Sequence, residues 1–296
     1  MSRYLIGIDA GATKTLGVLW DKNGQEIKRV VKGFCNFNVD FLKSQKNLEK
    51  TIEELLFNLS GKIKIVIGTS GYSYFEDPLA YQTELAKKFQ TRVVFKDDGY
   101  LALNSIDNPN DLPVVLLISG TGSIVYGKKK NNYYRFGGHG HLLGDQGSAY
   151  KLAISAFKEV IYELDNNLLL SSFSKLFLKT VGISTLEEIK QLVYKSEKGE
   201  IANFAKIVYG LAESDATAKK LVKQASFDLL EQTKAILRKM AVNGNFILAL
   251  KGGLMENSKL LKADYLEKLS ALNFKYQLSK NNRESVYGAL KIGEWL

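Results

Sequence analysis

One succession of elements occurs twice in this 296-residue sequence: a buried strand, a glycine-containing polar turn, a second strand, a hairpin and a third strand. The first copy runs through residues 3–9, the turn Gly11-Ala12-Thr13-Lys14-Thr15, residues 16–20, the hairpin turn Asp21-Lys22-Asn23-Gly24 and residues 26–31. The second runs through residues 114–118, the turn Ser119-Gly120-Thr121-Gly122-Ser123, residues 124–127 and residues 133–136. Each copy is followed by alternating helices and strands. A duplication of architecture, scarcely visible residue by residue, predicts two α/β domains with a cleft between them, the usual place for a ligand.

The intervening segments fill in the pattern. Asp40 is placed to cap a helix reaching about residue 59, with Leu42, Leu48, Ile52, Leu55 and Leu56 at helical spacing. Residues 64–68 read as a strand, 78–89 as a helix, and 92–95 as a strand leading to Asp97-Asp98 and a short helix. The stretch Asp107-Asn108-Pro109-Asn110-Asp111 is polar, carries a proline and has no apolar residue, so the domains are expected at 1–108 and 109–296. Residues 146–242 read as a helical insertion, with Ala218, Leu221, Val222, Ala225, Leu229 and Ile236 on one face of its longest helix. A strand at 246–250, a helix near 257–271, a strand at 274–278 and a last helix at about 283–296, expected to pack back on the first domain, complete the chain.

Composition narrows the setting. The net charge of +10 is spread over helical surfaces, and its one dense cluster, Lys128-Lys129-Lys130, reads as a hairpin tip. No zinc finger, basic zipper or aromatic-basic RNA-binding strand accompanies it, so no nucleic-acid partner is expected. No apolar run is long enough to span a bilayer. The single cysteine, Cys35, rules out an internal disulfide framework, and a cytoplasmic protein is expected.

Two turns rich in glycine and hydroxyl residues can each aim several backbone N–H groups at one point, the arrangement that cradles phosphate. Asp9, at the end of the first strand, is then placed to meet Mg2+, directly or through water. Between residues 137 and 148, Gly137-Gly138-His139-Gly140-His141-Leu142-Leu143-Gly144-Asp145-Gln146-Gly147-Ser148 gathers five of the 25 glycines and both histidines. Glycine at that density marks either a surface loop or a backbone shaped around a ligand. Other site chemistries are absent. No glycine-lysine pair precedes Ser or Thr as in a P-loop, no Gly-x-Ser-x-Gly elbow occurs, and two histidines with one distant cysteine do not make a zinc site.

Residues 7–15 resemble the first phosphate motif of the actin-like ATPase and sugar-kinase superfamily, Ile118–Ser123 its second, and Lys251-Gly252-Gly253-Leu254 its adenosine motif. Residues 119–123 with 137–150 resemble, more narrowly, the N-acetylglucosamine kinases of the benzoyl-CoA reductase ATPase (BadF/BadG/BcrA/BcrD) group. The resemblance implies two actin-like (ribonuclease H-like) domains and ATP-dependent phosphorylation of an amino-sugar 6-hydroxyl, with ATP and Mg2+ as cofactors and a homodimer as the assembly. It implies a general base at Asp98, sugar contacts at Asn36, Ser70, Gly71, Asp98, Thr121, His139 and Asp145, and ATP contacts at Gly11, Ala12, Thr13, Lys14, Thr15, Gly120, Thr121, Gly122, Gly252 and Gly253.

Two positions depart from that group: His139 stands where an aromatic is common, and Gln146 where an acid is. They leave N-acetylglucosamine, N-acetylmuramic acid and glucosamine as alternative sugars. A relative that activates a reductase through an iron–sulfur cluster needs two cysteines per subunit, and this chain has one.

Overall fold

The computed structural model describes residues 3–272, 274–280 and 283–293. The chain divides into two compact units: residues up to Pro109 together with the segment from Lys280 onward, and Asn110–Ser279.

In the first unit β1 (Arg3–Ala10), β2 (Thr15–Trp20) and β3 (Glu26–Lys32) form an antiparallel meander. After α1 (Phe41–Leu56), β4 (Lys62–Thr69) pairs parallel to β1. Then α2 (Pro78–Lys88) leads to β5 (Arg92–Asp97), parallel to β4, and α3 (Asp98–Asn104) follows directly. The sheet order is β3-β2-β1-β4-β5. Central strands covered on both faces need apolar residues at successive positions, and β1 and β4 supply Leu5, Ile6, Ile8, Ile65, Val66 and Ile67, all fully buried. Asp40 caps α1 by accepting from the Lys43 amide, and Asp77 caps α2 with Pro78 in its first turn, where a missing N–H costs nothing.

The second unit repeats this topology. It has β6 (Val114–Ser119), β7 (Ser123–Lys129) and β8 (Asn132–Gly137) as a meander. The single-turn α4 (Gly140–Leu143) and the helices α5 (Ala149–Asp165), α6 (Ser172–Val181), α7 (Leu186–Lys195), α8 (Lys198–Asn203), α9 (Ala205–Leu211) and α10 (Ala216–Lys239) follow. Next come β9 (Phe246–Lys251), α11 (Gly253–Asn257), α12 (Lys259–Ser270) and the short β10 (Tyr276–Leu278). The order β10-β9-β6-β7-β8, with β6, β9 and β10 parallel, matches the first sheet strand for strand. All six residues expected on the apolar face of α10 are buried. The helix expected near 257–271 is α12, capped by Ser258 accepting from the Leu261 amide, and the short α11 before it was not expected.

The chain then returns to the first unit. A 3₁₀ turn (Ser285–Tyr287) and α13 (Gly288–Ile292) place Val286, Ala289 and Leu290 in one core with Leu5, Trp20, Val66 and Leu101. The helix is shorter than expected among the described residues, and residues 294–296 of that expectation lie outside them. Gly288 permits the approach: a Cβ there would overlap the Leu101 carbonyl.

Candidate active site

Each unit carries candidate site residues at the carboxyl ends of its parallel strands, where open α/β sheets place their ligands. In the first unit, the half-buried Asp9 is the last residue but one of β1, and the turn of residues 11–14 follows. That turn is closed by the Gly11 amide on the Lys14 carbonyl (2.9 Å). It is stitched to its neighbours by Cys35 N–H donating to Gly11 O and Ser70 N–H to Ala10 O, both 2.8 Å. Ala12, Thr13 and Lys14 are exposed, whereas Thr15 is fully buried and its hydroxyl donates to Gly33 O at 2.7 Å. Thr15 thus fastens the hairpin from inside.

Asn36, Ser70, Gly71 and Asp98, spread over 63 sequence positions, converge beside this turn. Asn36 and Ser70 form a parallel bridge between their segments. Gly71 has φ 76°, and a Cβ on it would lie 2.6 Å from Asn36 Oδ1 and 2.7 Å from the Phe37 amide, so only glycine fits. Asn36 Oδ1 accepts from the Asn38 amide at 3.1 Å, which fixes the orientation of the carboxamide.

The adjacent aspartates at the start of α3 divide their work. Asp97 is the cap, accepting from Gly99 N–H at 3.0 Å, while Asp98 is the first helical residue and its Oδ2 accepts from Ser70 Oγ at 2.5 Å. Gly68 in β4 makes room, since a Cβ there would meet Leu101 Cβ at 2.6 Å and the Asp98 Cα at 3.3 Å.

An aromatic cluster stands behind: Phe75 packs on Tyr81 (4.5 Å between centroids) and on Phe37 (4.9 Å), and Phe95 lies 5.2 Å from both Phe75 and Tyr81. It holds the segments bearing Asn36 and Ser70 by burial rather than by polar contacts. Cys35 is buried beneath them, and burial pushes its thiol up to about 11.

In the second unit the corresponding turn is embedded. Gly120 N–H donates to Gly122 O (2.9 Å), Ser119 Oγ to Gly147 O (2.8 Å), Ser123 Oγ to Gln146 O (2.7 Å) and Ala149 N–H to Gly120 O (2.8 Å). Gln232, reaching from α10, donates to the same Gln146 carbonyl at 2.6 Å. Gly252, at φ 102° and ψ 145°, lies so close that a Cβ would overlap the Ser119 carbonyl. A pocket of about 180 Å³ opens beside Gly120, Thr121 and Gly253, and Ala202, Asn203, Lys206, Tyr209, Leu254 and Asn257 complete its walls. Sequence reasoning named the glycines, Thr121 and, within the adenosine motif, Leu254. Asn203, Lys206 and Tyr209 sit in the helical insertion, whose spacing reports an apolar face but not what the opposite face lines.

Of the glycine-dense stretch, Gly137, Gly138, Gly140 and Gly147 have positive φ. At Gly147 a Cβ would strike Leu229 at 2.5 Å and the Ala225 carbonyl at 2.7 Å. Asp145, a non-glycine at φ 63°, is 4% exposed; its Oδ2 accepts from Lys198 Nζ at 2.8 Å, and its Oδ1 lies 3.4 Å from the Ser123 amide. His139 is exposed at the start of α4. Among the described residues no group of three or more His, Cys, Asp or Glu is arranged to hold a metal, so a Mg2+ ion here would rely on Asp9, water and a bound phosphate, its common manner of binding.

Two α/β units of one topology, each with a glycine turn at its strand ends, define an actin-like ATPase fold. The chain belongs to the BadF/BadG/BcrA/BcrD ATPase family, whose model matches residues 6–289. It is 27% identical over 306 positions to an N-acetylmuramic acid/N-acetylglucosamine kinase of Clostridium acetobutylicum, covering 98% of each chain. It is 25% identical over 290 positions to an N-acetyl-D-glucosamine kinase of Dictyostelium discoideum, covering 91% of this chain and 90% of that one. Among solved structures, a candidate N-acetylglucosamine kinase of Chromobacterium violaceum is similar with a TM-score of 0.74 at 22% identity, over 98% of both chains. A ROK-family glucokinase of Streptomyces griseus, solved with glucose and AMPPNP, is similar with a TM-score of 0.58 at 13% identity, over 98% of both.

Proposed function

We propose that this protein is an ATP-dependent sugar kinase that phosphorylates the 6-hydroxyl of an N-acetylhexosamine, N-acetylglucosamine first, with Asp98 as general base. The observation that carries the reading is the division of labour at α3. Asp97 takes the capping hydrogen bond, and the neighbouring Asp98 carboxylate accepts from Ser70, which is bridged to Asn36 and precedes Gly71. A strand-to-helix aspartate with only a structural task would be the cap itself. The curated relatives, similar along nearly the whole chain, are kinases of these sugars.

In this reading the backbone of residues 11–14 and 120–122 holds the phosphates. Gly252, Gly253 and the pocket walls hold the adenosine, and Thr15 contributes by fastening its turn. Mg2+ held through Asp9 would neutralise phosphate charge. The sugar is gripped by Asn36, Ser70, Gly71, Thr121, His139 and Asp145; because Lys198 occupies Oδ2 of Asp145, a sugar hydroxyl would donate to Oδ1. The 6-oxygen bonds to the γ-phosphorus, the bridging P–O bond to the β-phosphate breaks, ADP leaves, and the proton of the hydroxyl passes to Asp98. Such a transfer asks the protein mainly for positioning, charge neutralisation and a base near the hydroxyl.

N-acetylmuramic acid is the second substrate, favoured by the relative from C. acetobutylicum, whose name covers both sugars. A role as activator of a cluster-bearing reductase fits poorly, because Cys35 is buried in the core and cannot reach a cluster.

The test is ADP release from ATP and Mg2+ with N-acetylglucosamine, N-acetylmuramic acid and glucosamine, with the product's phosphorylated carbon assigned by NMR. Release above background with an N-acetylated sugar, and a product carrying phosphate on carbon 6, is expected. Absence of release with every sugar would overturn the reading.

A further inference from the structure

One charged side chain beside the second unit's glycine turn has no part in the reaction as written. Lys198 is the first residue of α8, immediately after the cap Glu197. A cation in the first turn of a helix faces the positive end of the backbone dipoles, so local helix chemistry disfavours it there. Its side chain is nevertheless two-thirds buried, with Nζ 2.8 Å from Oδ2 of Asp145, whose side chain is 3% exposed. A Cβ built on Gly122 would lie 3.1 Å from that same Nζ. The ammonium therefore rests against the backbone of the 120–122 turn, held in register by a buried carboxylate. The other end of α8 carries Ala202 and Asn203, which wall the pocket beside Gly120 and Thr121. The helix rises about 1.5 Å per residue, so its backbone spans roughly 8 Å from Asn203 at the pocket wall to Lys198. A polyphosphate chain leaving the pocket along the turn covers that distance.

We infer that Lys198 is a phosphate-binding residue, whose ammonium engages the terminal phosphates of a nucleoside triphosphate at the 120–122 turn. Asp145 positions it. An ammonium has three donor hydrogens, of which Asp145 takes one, and as a compact charge it suits phosphate oxygens. The inference rests on the reading that the turn and pocket hold ATP, and it adds a contact from the helical insertion.

The experiment is calorimetric binding of Mg2+–AMPPNP and, separately, of adenosine to wild type, Lys198→Met and Lys198→Arg. For Lys198→Met at least a tenfold loss of AMPPNP affinity is expected with adenosine affinity unchanged, and Lys198→Arg should recover most of the loss. Wild-type AMPPNP affinity in Lys198→Met, or a parallel loss for adenosine, overturns the inference. Should the single variant leave Asp145 buried alone and fail to fold, Lys198→Met combined with Asp145→Asn is compared with Asp145→Asn. The double variant must still bind AMPPNP at least tenfold more weakly, and equal affinity overturns the inference. Because the readout is binding, a wild type that binds AMPPNP but phosphorylates no amino sugar defeats the proposed function and leaves this test intact.

Discussion

The turn after β1 and the turn after β6 occupy equivalent places in two sheets of the same topology, yet they are built differently. The first spans residues 11–14 with Ala12, Thr13 and Lys14 exposed, and its anchors lie at its edges, where Thr15 grips Gly33 and Gly11 receives Cys35. The second spans residues 120–122 and is enclosed by the 145–149 segment on one side and by Gly252 on the other. Two frames of one topology thus carry different surroundings, set by the segments packed against each. The open turn lies beside Asn36, Ser70 and Asp98. The enclosed turn lies beside a pocket walled by inserted helices.

If that division is right, the largest effect belongs to the carboxylate beside the open turn. Asp98→Asn should lower kcat by about 10²–10⁴-fold, the contribution usual for a general base, while AMPPNP binding measured by calorimetry stays within about twofold. Near-normal turnover would show that the chemistry does not depend on this half.

Next comes a contrast in backbone tolerance. Gly252→Ala should destabilise by about 3 kcal/mol, because φ 102° with ψ 145° is nearly a glycine-only conformation and the new methyl overlaps the Ser119 carbonyl. Gly11→Ala should cost about 1 kcal/mol or less, its Cβ meeting only the Lys14 carbonyl at 3.3 Å without a positive φ. Urea melts of the two variants would expose the asymmetry, and equal losses would erase it.

Ser70→Ala removes the hydroxyl that donates to Asp98 at 2.5 Å. A hydrogen bond to a charged group is worth about 1.5–3 kcal/mol, so a fall of about 10- to 150-fold in kcat/KM for the sugar is expected in steady-state assays, with ATP binding unchanged. A variant equal to wild type would make the Ser70–Asp98 contact incidental. The smallest effect belongs to the exposed ion pairs. Glu284→Gln, which severs Arg29 (2.6 Å) and Lys14 (3.9 Å), should change stability by less than about 1 kcal/mol in the same melts.

The frame was legible in the sequence because two hydrophobic meanders with glycine turns are short-range signals, whereas the order of the parallel strands beside them was not. Asn36, Ser70, Gly71 and Asp98 could be named as candidates through motif resemblance, but their convergence depends on parallel pairing across long loops. Spacing alone could not give it. Lys198 was not legible. It lies 53 positions from Asp145, in a helix whose pattern shows only which face is apolar. The short α11 was missed because Gly252-Gly253 reads as a turn and five residues carry too little apolar spacing to mark a helix. The length of the final helix was missed because the repeat offers no counterpart to calibrate it.

The return of residues from Lys280 onward to the first unit also bears on the order in which the protein is assembled. Asn110–Ser279 is one uninterrupted stretch, so the second unit can close while later residues are still being added. The first unit starts earlier yet keeps an apolar gap over Trp20, Val66 and Leu101 until Val286, Ala289 and Leu290 arrive to fill it. During synthesis, the part of the chain made first is therefore the part finished last.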